Sequence, residues 1–292
     1  MDLSAFSGWL TAYRSPSTRA GYLWEVAAFT AWAEGLGIES PGQITKQLCI
    51  SYLAERRLAG VGGNALRRCV WALRCWLDVE IGPGHPVEDL EPPKAPRRRQ
   101  RVLSWDSLSA VLASCDTSTA QGVRDLAMLA LMVDTGLRSS EVCRLRLDDV
   151  DLPGLRLVVQ IKGGDDGAGV FSPHAGQYLA RWLEVREGLA HCRTVFCSIY
   201  HGKPLTTGGL RAIFRRIARD AGLPALSPHD LRRTMATLAT LAGAPSRVTQ
   251  VGGRWGSIKQ VETYTASLAA EAFRQYSPVA RAMGGRPGVD PG

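Results

Sequence analysis

Apolar residues recur at helical spacing in four stretches of the first part of the chain, 5–13, 18–34, 44–58 and 64–79. An apolar residue at every third or fourth position predicts an amphipathic helix, and glycine, proline and serine separate the four stretches. This part of the chain therefore predicts a small all-helical bundle. The tryptophans that we expect mostly in its core are Trp24, Trp32, Trp71 and Trp76.

The second part of the chain combines further helical stretches with a few β-branched ones. Residues 155–161 alternate between apolar and polar positions, which predicts a strand, and the glycine-rich segment 163–169 predicts a turn. A return strand starting at Val170 completes a β-hairpin over 155–172, with Lys162 at its tip. We therefore expect a mixed α+β domain with a small antiparallel sheet, in a chain that is mostly α. The other predicted elements are helices over 106–115, 123–134, 139–147, 175–187, 207–221, 228–242, 246–251 and 267–282, and a short strand over 194–198.

Residues 92–101 interrupt the helical pattern with three prolines and five basic residues but no acidic one. Proline cannot continue a helix, so we expect an extended basic linker between a domain over 1–91 and a second domain over 102–292. The basic residues of the linker are Lys94, Arg97, Arg98, Arg99 and Arg101. The last predicted helix of the first domain carries three more basic residues, Arg67, Arg68 and Arg74. They could form a basic face that binds a polyanion, and a solvent-exposed face without a binding role is an equally good interpretation.

Composition and charge narrow the class of protein. The 292 residues suffice for about two domains, and 45% hydrophobic with 21% charged residues excludes a disordered or collagen-like chain. The longest apolar run, 126–133, is far shorter than the ~20 residues that cross a bilayer, and the N-terminus lacks a secretory signal, so we expect a cytoplasmic protein. The net charge of +8 favours a polyanionic partner.

Metal chemistry is not indicated by the ligand-forming residues. The seven cysteines are odd in number and lack paired Cys-x-x-Cys spacing, so we expect reduced, mostly buried thiols. Asp148, Asp149 and Asp151 could suggest a metal site, but a solvated loop after a helix is the simpler interpretation. We therefore expect neither a metal ion nor another cofactor.

Three motifs in the second part carry candidate chemistry. Arg138 lies in a Thr-Gly-Leu-Arg-Ser-Ser-Glu turn, where Glu141 can hold the guanidinium as an anion-binding group, although such a pair is often structural. His229 and Arg232 lie three residues apart, on one face of a helix that Ser227 caps and Pro228 opens. In the third motif, Gly-Gly-Arg-Trp-Gly-Ser-Ile-Lys-Gln-Val-Glu-Thr-Tyr-Thr, the tryptophan and the tyrosine are Trp255 and Tyr264.

In this order and inside one domain, these motifs resemble the tyrosine recombinase family, also called phage-type integrases, and in particular its Cre- and Xer-like members. The resemblance covers essentially the whole chain and implies the DNA breaking-rejoining fold. Trp255 stands where many members carry a second histidine, and Cre similarly carries a tryptophan there. Two features depart from the family pattern: Arg254 looks like an extra residue, and Asp165 and Asp166 stand in a loop that is usually basic. The catalytic residues that the resemblance implies are Arg138, Lys162, His229, Arg232, Trp255 and Tyr264, with Glu141 in support.

Physical chemistry agrees with these implied roles. Phosphodiester cleavage places extra negative charge on the non-bridging oxygens, and two guanidiniums, Arg138 and Arg232, can neutralise it without a metal. Lys162 can protonate the departing 5′-oxygen. A free tyrosine has a pKa of ~10, so Tyr264 needs this cationic cluster, with His229 as a possible base, to attack at neutral pH.

The resemblance implies a site-specific DNA recombinase that forms a 3′-phosphotyrosyl intermediate, for integration, excision or resolution. A type IB topoisomerase-like enzyme and a catalytically silent DNA-binding protein are the alternatives. The implied partner is double-stranded DNA with core sites in inverted repeat, which the two domains clamp while the linker follows phosphates. We further expect a tetramer that assembles on DNA through the C-terminal segment, in the nucleoid of a bacterial cytoplasm. The sequence does not identify any accessory proteins.

Overall fold

A computed structural model of the chain describes residues 1–94, 101–160, 166–263 and 265. The chain divides into two compact units, Met1–Arg99 and Gln100–Gly292, and each is described by itself. The helix predicted over 267–282 lies outside the described residues, as do residues 95–100 of the predicted linker.

The first unit is built from four helices, all within two residues of the predicted bounds. Local signals explain where they begin: Pro16 occupies the first turn of the second helix, and the Thr45 side chain accepts a hydrogen bond from the Leu48 amide at the start of the third. The helices are α1 (Ser4–Tyr13), α2 (Pro16–Glu34), α3 (Lys46–Leu58) and α4 (Gly63–Glu80).

An aromatic cluster forms the centre of this unit. Phe29 on α2 contacts Tyr52 and Trp76 edge to face, with ring centroids 5.2 and 6.2 Å apart, and Trp76 is fully buried. The prediction of a core position is wrong for Trp24 and Trp71, which are 57% and 45% exposed. These two indoles instead lie on the surface.

The exposed indoles are each covered by an arginine. The guanidinium carbon of Arg56 lies 5.4 Å from the ring centroid of Trp24, and that of Arg74 lies 5.0 Å from the ring centroid of Trp71. Such cation–π contacts stabilise an indole at the surface, where hydropathy alone predicts burial.

Two of the three arginines predicted for a basic face make contacts within their own unit. Arg68 binds the buried carboxylate of Glu25, with Nη2 2.6 Å from Oε1. Arg74 donates to two backbone carbonyls of the segment 87–90. Arg67 is exposed. A role of this face in DNA binding stays a prediction, and these contacts assign Arg68 and Arg74 a structural role as well.

Within the described ranges, the second unit contains seven helices, one sheet and a further helical stretch over 258–263. Trp182, Phe196 and Phe214 lie fully buried in its core, around the long central helix α6, and the Trp182 indole donates to the Val195 carbonyl at 2.8 Å. The third of its helices ends three residues before the predicted bound and is followed by a 3-10 turn. The helices are α5 (Trp105–Ala113), α6 (Ala120–Thr135), α7 (Ser139–Arg144), α8 (Pro173–Glu187), α9 (Thr207–Asp220), α10 (Pro228–Leu241) and α11 (Ser246–Gly252).

The sheet has three antiparallel strands in chain order, β1 (Val150–Asp151), β2 (Arg156–Gln160) and β3 (Asp166–Val170). The return strand therefore begins at 166, and the prediction of a turn up to 169 is wrong. Leu157 pairs with Gly169, and a Cβ on that glycine would lie 2.7 Å from the leucine Cδ1. Gly169, one of the glycines that suggested a turn, is instead a small residue that lets the two strands pack closely.

The strand predicted over 194–198 is not formed as such. Residues of this segment make isolated bridges, Arg146 with Thr194 and Cys197 with Pro204. Apolar residues recur here because Val195 and Phe196 are core residues, which explains why the pattern resembled a strand.

The cysteines are free thiols, and five of the seven are buried. Burial raises the pKa of Cys49 and of Cys69 to about 12, so these groups are protonated at neutral pH. Across the described ranges, we find no helix long and apolar enough to span a bilayer.

Candidate active site

The turn between α6 and α7 places Arg138 at the edge of a pocket. α6 ends at Thr135 and is capped by Gly136, whose φ of +62° is a left-handed conformation that glycine adopts without strain. The chain then runs extended through Arg138, which directly precedes α7. The Arg138 side chain is 41% exposed, so its guanidinium is accessible to a ligand.

Glu141 orients Arg138 from the first turn of α7. Its Oε1 accepts from Arg138 Nη1 at 2.6 Å and its Oε2 accepts from the Arg138 backbone N–H at 2.9 Å. Burial alone raises the pKa of Glu141, but the hydrogen bonds from Arg138 and the charge of Arg254 outweigh it and bring the pKa below its usual value. The carboxylate is therefore ionised, and it holds Arg138 by two contacts, one with the guanidinium and one with the backbone N–H.

The start of α10 supplies His229 and Arg232. Ser227 caps this helix by accepting from the Asp230 amide, as expected for a Ser-Pro opening. His229 lies in the first turn, where partial desolvation and then the charges of Arg233 and Arg232 lower the pKa of its imidazole. The ring is therefore neutral at neutral pH.

Arg232 is buried and cross-links two turns of the unit. It is 3% exposed, and it donates through Nη1 to the Gly136 carbonyl and through Nη2 to the Gly253 carbonyl, the latter at 2.5 Å. Its position is therefore fixed by backbone groups, whereas Arg138 is held by a side chain.

One pocket of about 360 Å³ brings Arg138, His229 and Arg232 together. The motifs from α7 and α10 are thus adjacent in space although 91 residues separate Arg138 from His229 in the chain. Thr207 and Arg211 from α9 line the same pocket, and the sequence reasoning missed both. The available signal was an amphipathic helix with an arginine one turn after a threonine near its start.

Trp255 lies directly beneath Arg232. The indole is 5% exposed, and the guanidinium carbon of Arg232 lies 4.4 Å from its ring centroid. A Cβ on Gly253 would collide with this ring, so the glycine turn is required for the indole to fold back against α10.

Arg254 is a third residue that the sequence reasoning did not place in the site. Its guanidinium is buried and donates to Glu141 Oε2 at 3.3 Å, the oxygen that also accepts from the Arg138 backbone N–H. The only sequence signal was the departure from the family pattern at this position.

Two of the predicted catalytic residues, Lys162 and Tyr264, lie outside the described residues. β2 ends at Gln160 and β3 begins at Asp166, and both residues line a second pocket with Glu141. A helical stretch over 258–263 directly precedes the tyrosine.

The predicted linker is described only at its two ends. Lys94 is exposed, and Arg101 donates to the Ala225 carbonyl. The three consecutive basic residues Arg97, Arg98 and Arg99 fall outside the described ranges.

The acidic residues after α7 do not form a cluster that could hold a metal. Asp148 pairs with Arg193, with Oδ2 2.7 Å from Nη2. Within the described residues, no group of three or more histidine, cysteine, aspartate or glutamate side chains is arranged to hold a metal ion.

Comparison with known proteins assigns the family. Residues 101–271, more than half of the chain, match the phage integrase family. The chain belongs to this family of tyrosine recombinases. The expected enzyme class, a site-specific DNA recombinase, is thereby confirmed, and the comparisons do not favour the topoisomerase-like alternative.

Relatives of this recombinase align over most of their length. Tyrosine recombinase XerD of Listeria monocytogenes serotype 4b (strain F2365) is 27% identical over 278 residues, 90% of this chain and 93% of the relative. Tyrosine recombinase XerC of Mycobacterium bovis (strain BCG / Pasteur 1173P2) is 31% identical over 266 residues, 86% and 88% of the two chains. The crystal structure of the XerH site-specific recombinase, bound to a palindromic difH substrate as a post-cleavage complex, has a similar fold. Its TM-score is 0.73 at 20% identity, covering 89% of this chain and 79% of XerH.

Proposed function

We propose that this recombinase cleaves a DNA strand through Tyr264. The phenolic oxygen attacks a backbone phosphorus, a bond from Tyr264 Oη to phosphorus forms, and the bond from phosphorus to the 5′-oxygen breaks. The products are a 3′-phosphotyrosyl ester and a free 5′-hydroxyl. A 5′-hydroxyl of a second DNA strand then reverses the step, so the reaction needs no nucleotide cofactor.

The observation that carries this proposal is the shared pocket of Arg138, His229 and Arg232. Both guanidiniums are positioned before any ligand binds, one by Glu141 and the other by two backbone carbonyls. Preorganised donors of this kind stabilise the charge that develops on the non-bridging oxygens of the phosphate. Two arginines offer planar, bidentate contacts and take the place of metal ions as the charge clamp.

The proton transfers fall to residues on either side of the phosphate. His229, neutral because its pKa is lowered, accepts the phenolic proton from Tyr264. Lys162, expected at the tip of the hairpin between β2 and β3, donates a proton to the departing 5′-oxygen. Trp255 fixes Arg232 by stacking, and its indole N–H is a candidate donor to the phosphate.

The partner we propose is a duplex core site with two recognition sequences in inverted repeat, as in the palindromic substrate of XerH. The basic linker and the first unit contact phosphates. Four copies assemble on DNA through the C-terminal segment, in the nucleoid of a bacterial cytoplasm. Integration, excision and resolution of a mobile element all use this chemistry.

A selection followed by a cleavage assay tests the proposal. Duplexes that bind the Tyr264→Phe variant are enriched from a random pool, and the recovered site is then nicked beside each candidate phosphate to give a suicide substrate. We expect the wild-type chain to form a covalent protein–DNA adduct in the presence of EDTA, and the Tyr264→Phe variant to bind without forming it.

The two alternative functions give different results in the same assays. Relaxation of supercoiled plasmid without exchange between two recovered sites would support a topoisomerase-like enzyme. Binding without any adduct from the wild-type chain would support a catalytically silent DNA-binding protein. An adduct that requires magnesium would contradict the arginine clamp.

A further inference from the structure

Arg254 has a backbone conformation that favours glycine. Its φ is +54°, in the left-handed region, and among the described residues Leu155 is the one other non-glycine residue with a positive φ. An L-residue adopts this conformation at a cost in free energy, so it persists only where the surroundings hold it. Backbone hydrogen bonds hold this turn, among them that from the Arg254 N–H to the Val251 carbonyl at 3.0 Å, and the contacts of the Arg254 side chain add to them.

The Arg254 guanidinium is buried beneath the site. The residue is 9% exposed, and its Nη2 donates to Glu141 Oε2 at 3.3 Å. Its Nη1 donates to the Gly252 carbonyl at 3.4 Å and lies against Gly169 of β3, where an added Cβ would be 3.2 Å away. Its Nε is buried and has no hydrogen-bond partner among the described residues. The side chain therefore connects the turn after α11 with α7 and with the sheet.

Glu141 divides its carboxylate between two arginines with different surroundings. Oε1 and Oε2 both accept hydrogen bonds from Arg138, and Oε2 also accepts from Arg254. The Arg138 side chain is 41% exposed and lines the pocket, whereas the Arg254 side chain is 3% exposed. Arg138 thus faces the substrate side, and Arg254 holds the shared carboxylate from the interior.

The turn that carries Arg254 also holds the second arginine of the pocket. The Gly253 carbonyl accepts from Arg232 Nη2, and the ring of Trp255 lies beneath the same guanidinium. Consecutive residues of one turn therefore contact both halves of the clamp: Gly253 and Trp255 contact Arg232, and Arg254 reaches Arg138 through Glu141. A shift of this turn would change the separation of the two guanidiniums.

We propose that Arg254 is a positioning residue for DNA cleavage, which fixes Glu141, and through it Arg138, at a set separation from Arg232. The proposal rests on the proposed function, because this separation matters only if both guanidiniums bind one phosphate. A residue that merely stabilised the fold would leave cleavage unchanged in a variant that is still folded.

The charge of Glu141 gives a readout of this coupling that needs no DNA. The hydrogen bonds from Arg138 and the charge of Arg254 lower the pKa of Glu141 against the effect of burial. Removal of the Arg254 charge should therefore raise the pKa of Glu141, which then protonates at higher pH. The other charged groups facing the pocket beside Glu141 are Arg144, Arg146, Asp149 and Asp166, and they are unchanged in the variants.

Three substitutions separate charge, backbone and folding. Arg254→Met removes the charge but keeps an extended side chain, Arg254→Lys keeps the charge, and Arg254→Gly suits the positive φ and removes the side chain. Carbon-13 NMR of the Glu141 carboxyl in the free protein follows its titration, and thermal unfolding reports folding. We expect a higher pKa of Glu141 in the Met and Gly variants and a value near wild type in the Lys variant.

Single-turnover cleavage of the recovered suicide duplex measures the effect on the reaction. We expect the Met and Gly variants to cleave about 10- to 100-fold more slowly at unchanged DNA affinity, because a small displacement of a catalytic group is costly. The Lys variant should recover most of the rate. In a Glu141→Gln background, Arg254→Met should add little further loss, since the two residues act through one contact.

Two results would overturn the role of Arg254. One is a folded Met or Gly variant with wild-type cleavage and an unchanged Glu141 titration. The other is full additivity of Arg254→Met and Glu141→Gln. Absence of an adduct with the wild-type chain would overturn the proposed function, and the role of Arg254 in cleavage with it. If the wild-type chain forms the adduct but the Glu141 titration is unchanged in the Met and Gly variants, only the role of Arg254 would be overturned.

Discussion

The guanidinium of Arg232 lies over the indole ring of Trp255, with 4.4 Å between the guanidinium carbon and the ring centroid. Both side chains are buried, so this cation–π contact is shielded from solvent. Under the proposed function, we expect Trp255 to act in two ways: the ring fixes the plane of Arg232, and the indole N–H is a candidate donor to the phosphate. A histidine, which many family members carry here, would offer a similar donor but a smaller ring.

Substitution of Trp255 separates these two contributions. Trp255→Phe keeps a smaller aromatic ring beneath Arg232 and loses the N–H, so we expect a loss of about 1.5–3 kcal/mol or less in transition-state stabilisation, and a smaller loss of stability than in Trp255→Ala. Trp255→Ala removes both and leaves a cavity, which should also destabilise the unit by about 3–5 kcal/mol. Single-turnover cleavage and thermal unfolding of both variants test this. Equal cleavage rates in the two variants would show that stacking on Arg232 is unimportant.

The two clamp arginines should differ in what they contribute to folding. Arg138→Ala removes a half-exposed side chain, and we expect a loss of about 1 kcal/mol or less in unfolding free energy together with a severe loss of cleavage. Arg232→Ala removes a buried guanidinium that bonds two backbone carbonyls, which should cost roughly 3 kcal/mol of stability besides cleavage. Urea unfolding followed by hydrogen exchange in the second unit compares them. A larger stability loss for Arg138→Ala would contradict these positions.

The helices were predictable because their signals are local. α10 begins as expected at a Ser-Pro cap, and α4 covers 63–80 against a predicted 64–79, since apolar periodicity and caps depend on neighbouring residues. The return strand was missed because Gly169 is small for a reason outside the segment, the close approach of Leu157. Local rules interpret such glycines as a turn.

The sequence predicted the site residues that stand in family motifs. It did not predict those whose place in the site depends on contacts with residues distant in the chain. The neighbourhood of Arg138, His229 and Arg232 follows from the resemblance, and the described geometry assembles them in one pocket. Arg254 bonds a carboxylate 113 residues away, so no local pattern could place its guanidinium. Trp24 and Trp71 were misplaced for the same reason, because the arginines that cover them are known only from the fold.

Cleavage should decline in acid because His229 becomes protonated. Desolvation and nearby arginines lower the pKa of this imidazole, so it is neutral above its ordinary value of 6.5 and gains a proton only at lower pH. The unfolded chain binds that proton first, so the contribution of His229 to stability is complete at neutral pH and is lost as the pH falls from 6.5 through the folded-state pKa. His229→Gln should flatten this part of the stability profile.

A matched control is His174, an exposed histidine that likewise follows a proline at the start of a helix. His174→Gln should leave the pH profile of cleavage unchanged, because His174 does not line the pocket of Arg138. If the decline of cleavage in acid persisted unchanged in His229→Gln, it would arise from the titration of another group.

The first unit should depend on one buried carboxylate. Glu25 is fully buried and accepts from Arg56 on α3 and Arg68 on α4, with N–O distances of 2.5 and 2.6 Å. Glu25→Gln leaves two guanidiniums without their counter-charge, and we expect it to destabilise α2–α4 by roughly 3 kcal/mol or more. Hydrogen exchange of these helices measures the loss. Glu55→Gln, an exposed change that keeps an acceptor for the Trp32 indole, should cost under about 1 kcal/mol; equal losses would refute the special role of Glu25.

The role of Lys162 is decided by the leaving group. If Lys162 is the general acid, Lys162→Ala should slow cleavage of ordinary DNA severely, and cleavage should largely recover on a duplex whose scissile 5′-oxygen is replaced by sulfur, because a thiolate leaves without a proton. If Lys162 only contacts a phosphate, the variant should bind both duplexes more weakly, and sulfur in the leaving group should not restore cleavage. We favour the acid role because the ends of β2 and β3 line a pocket with Glu141, the residue that holds Arg138. Moreover, no other lysine occurs between Lys94 and Lys203. Arg138→Ala is the control: loss of this arginine should slow cleavage of both duplexes alike. If sulfur also rescued this variant, rescue would not identify Lys162 as the general acid.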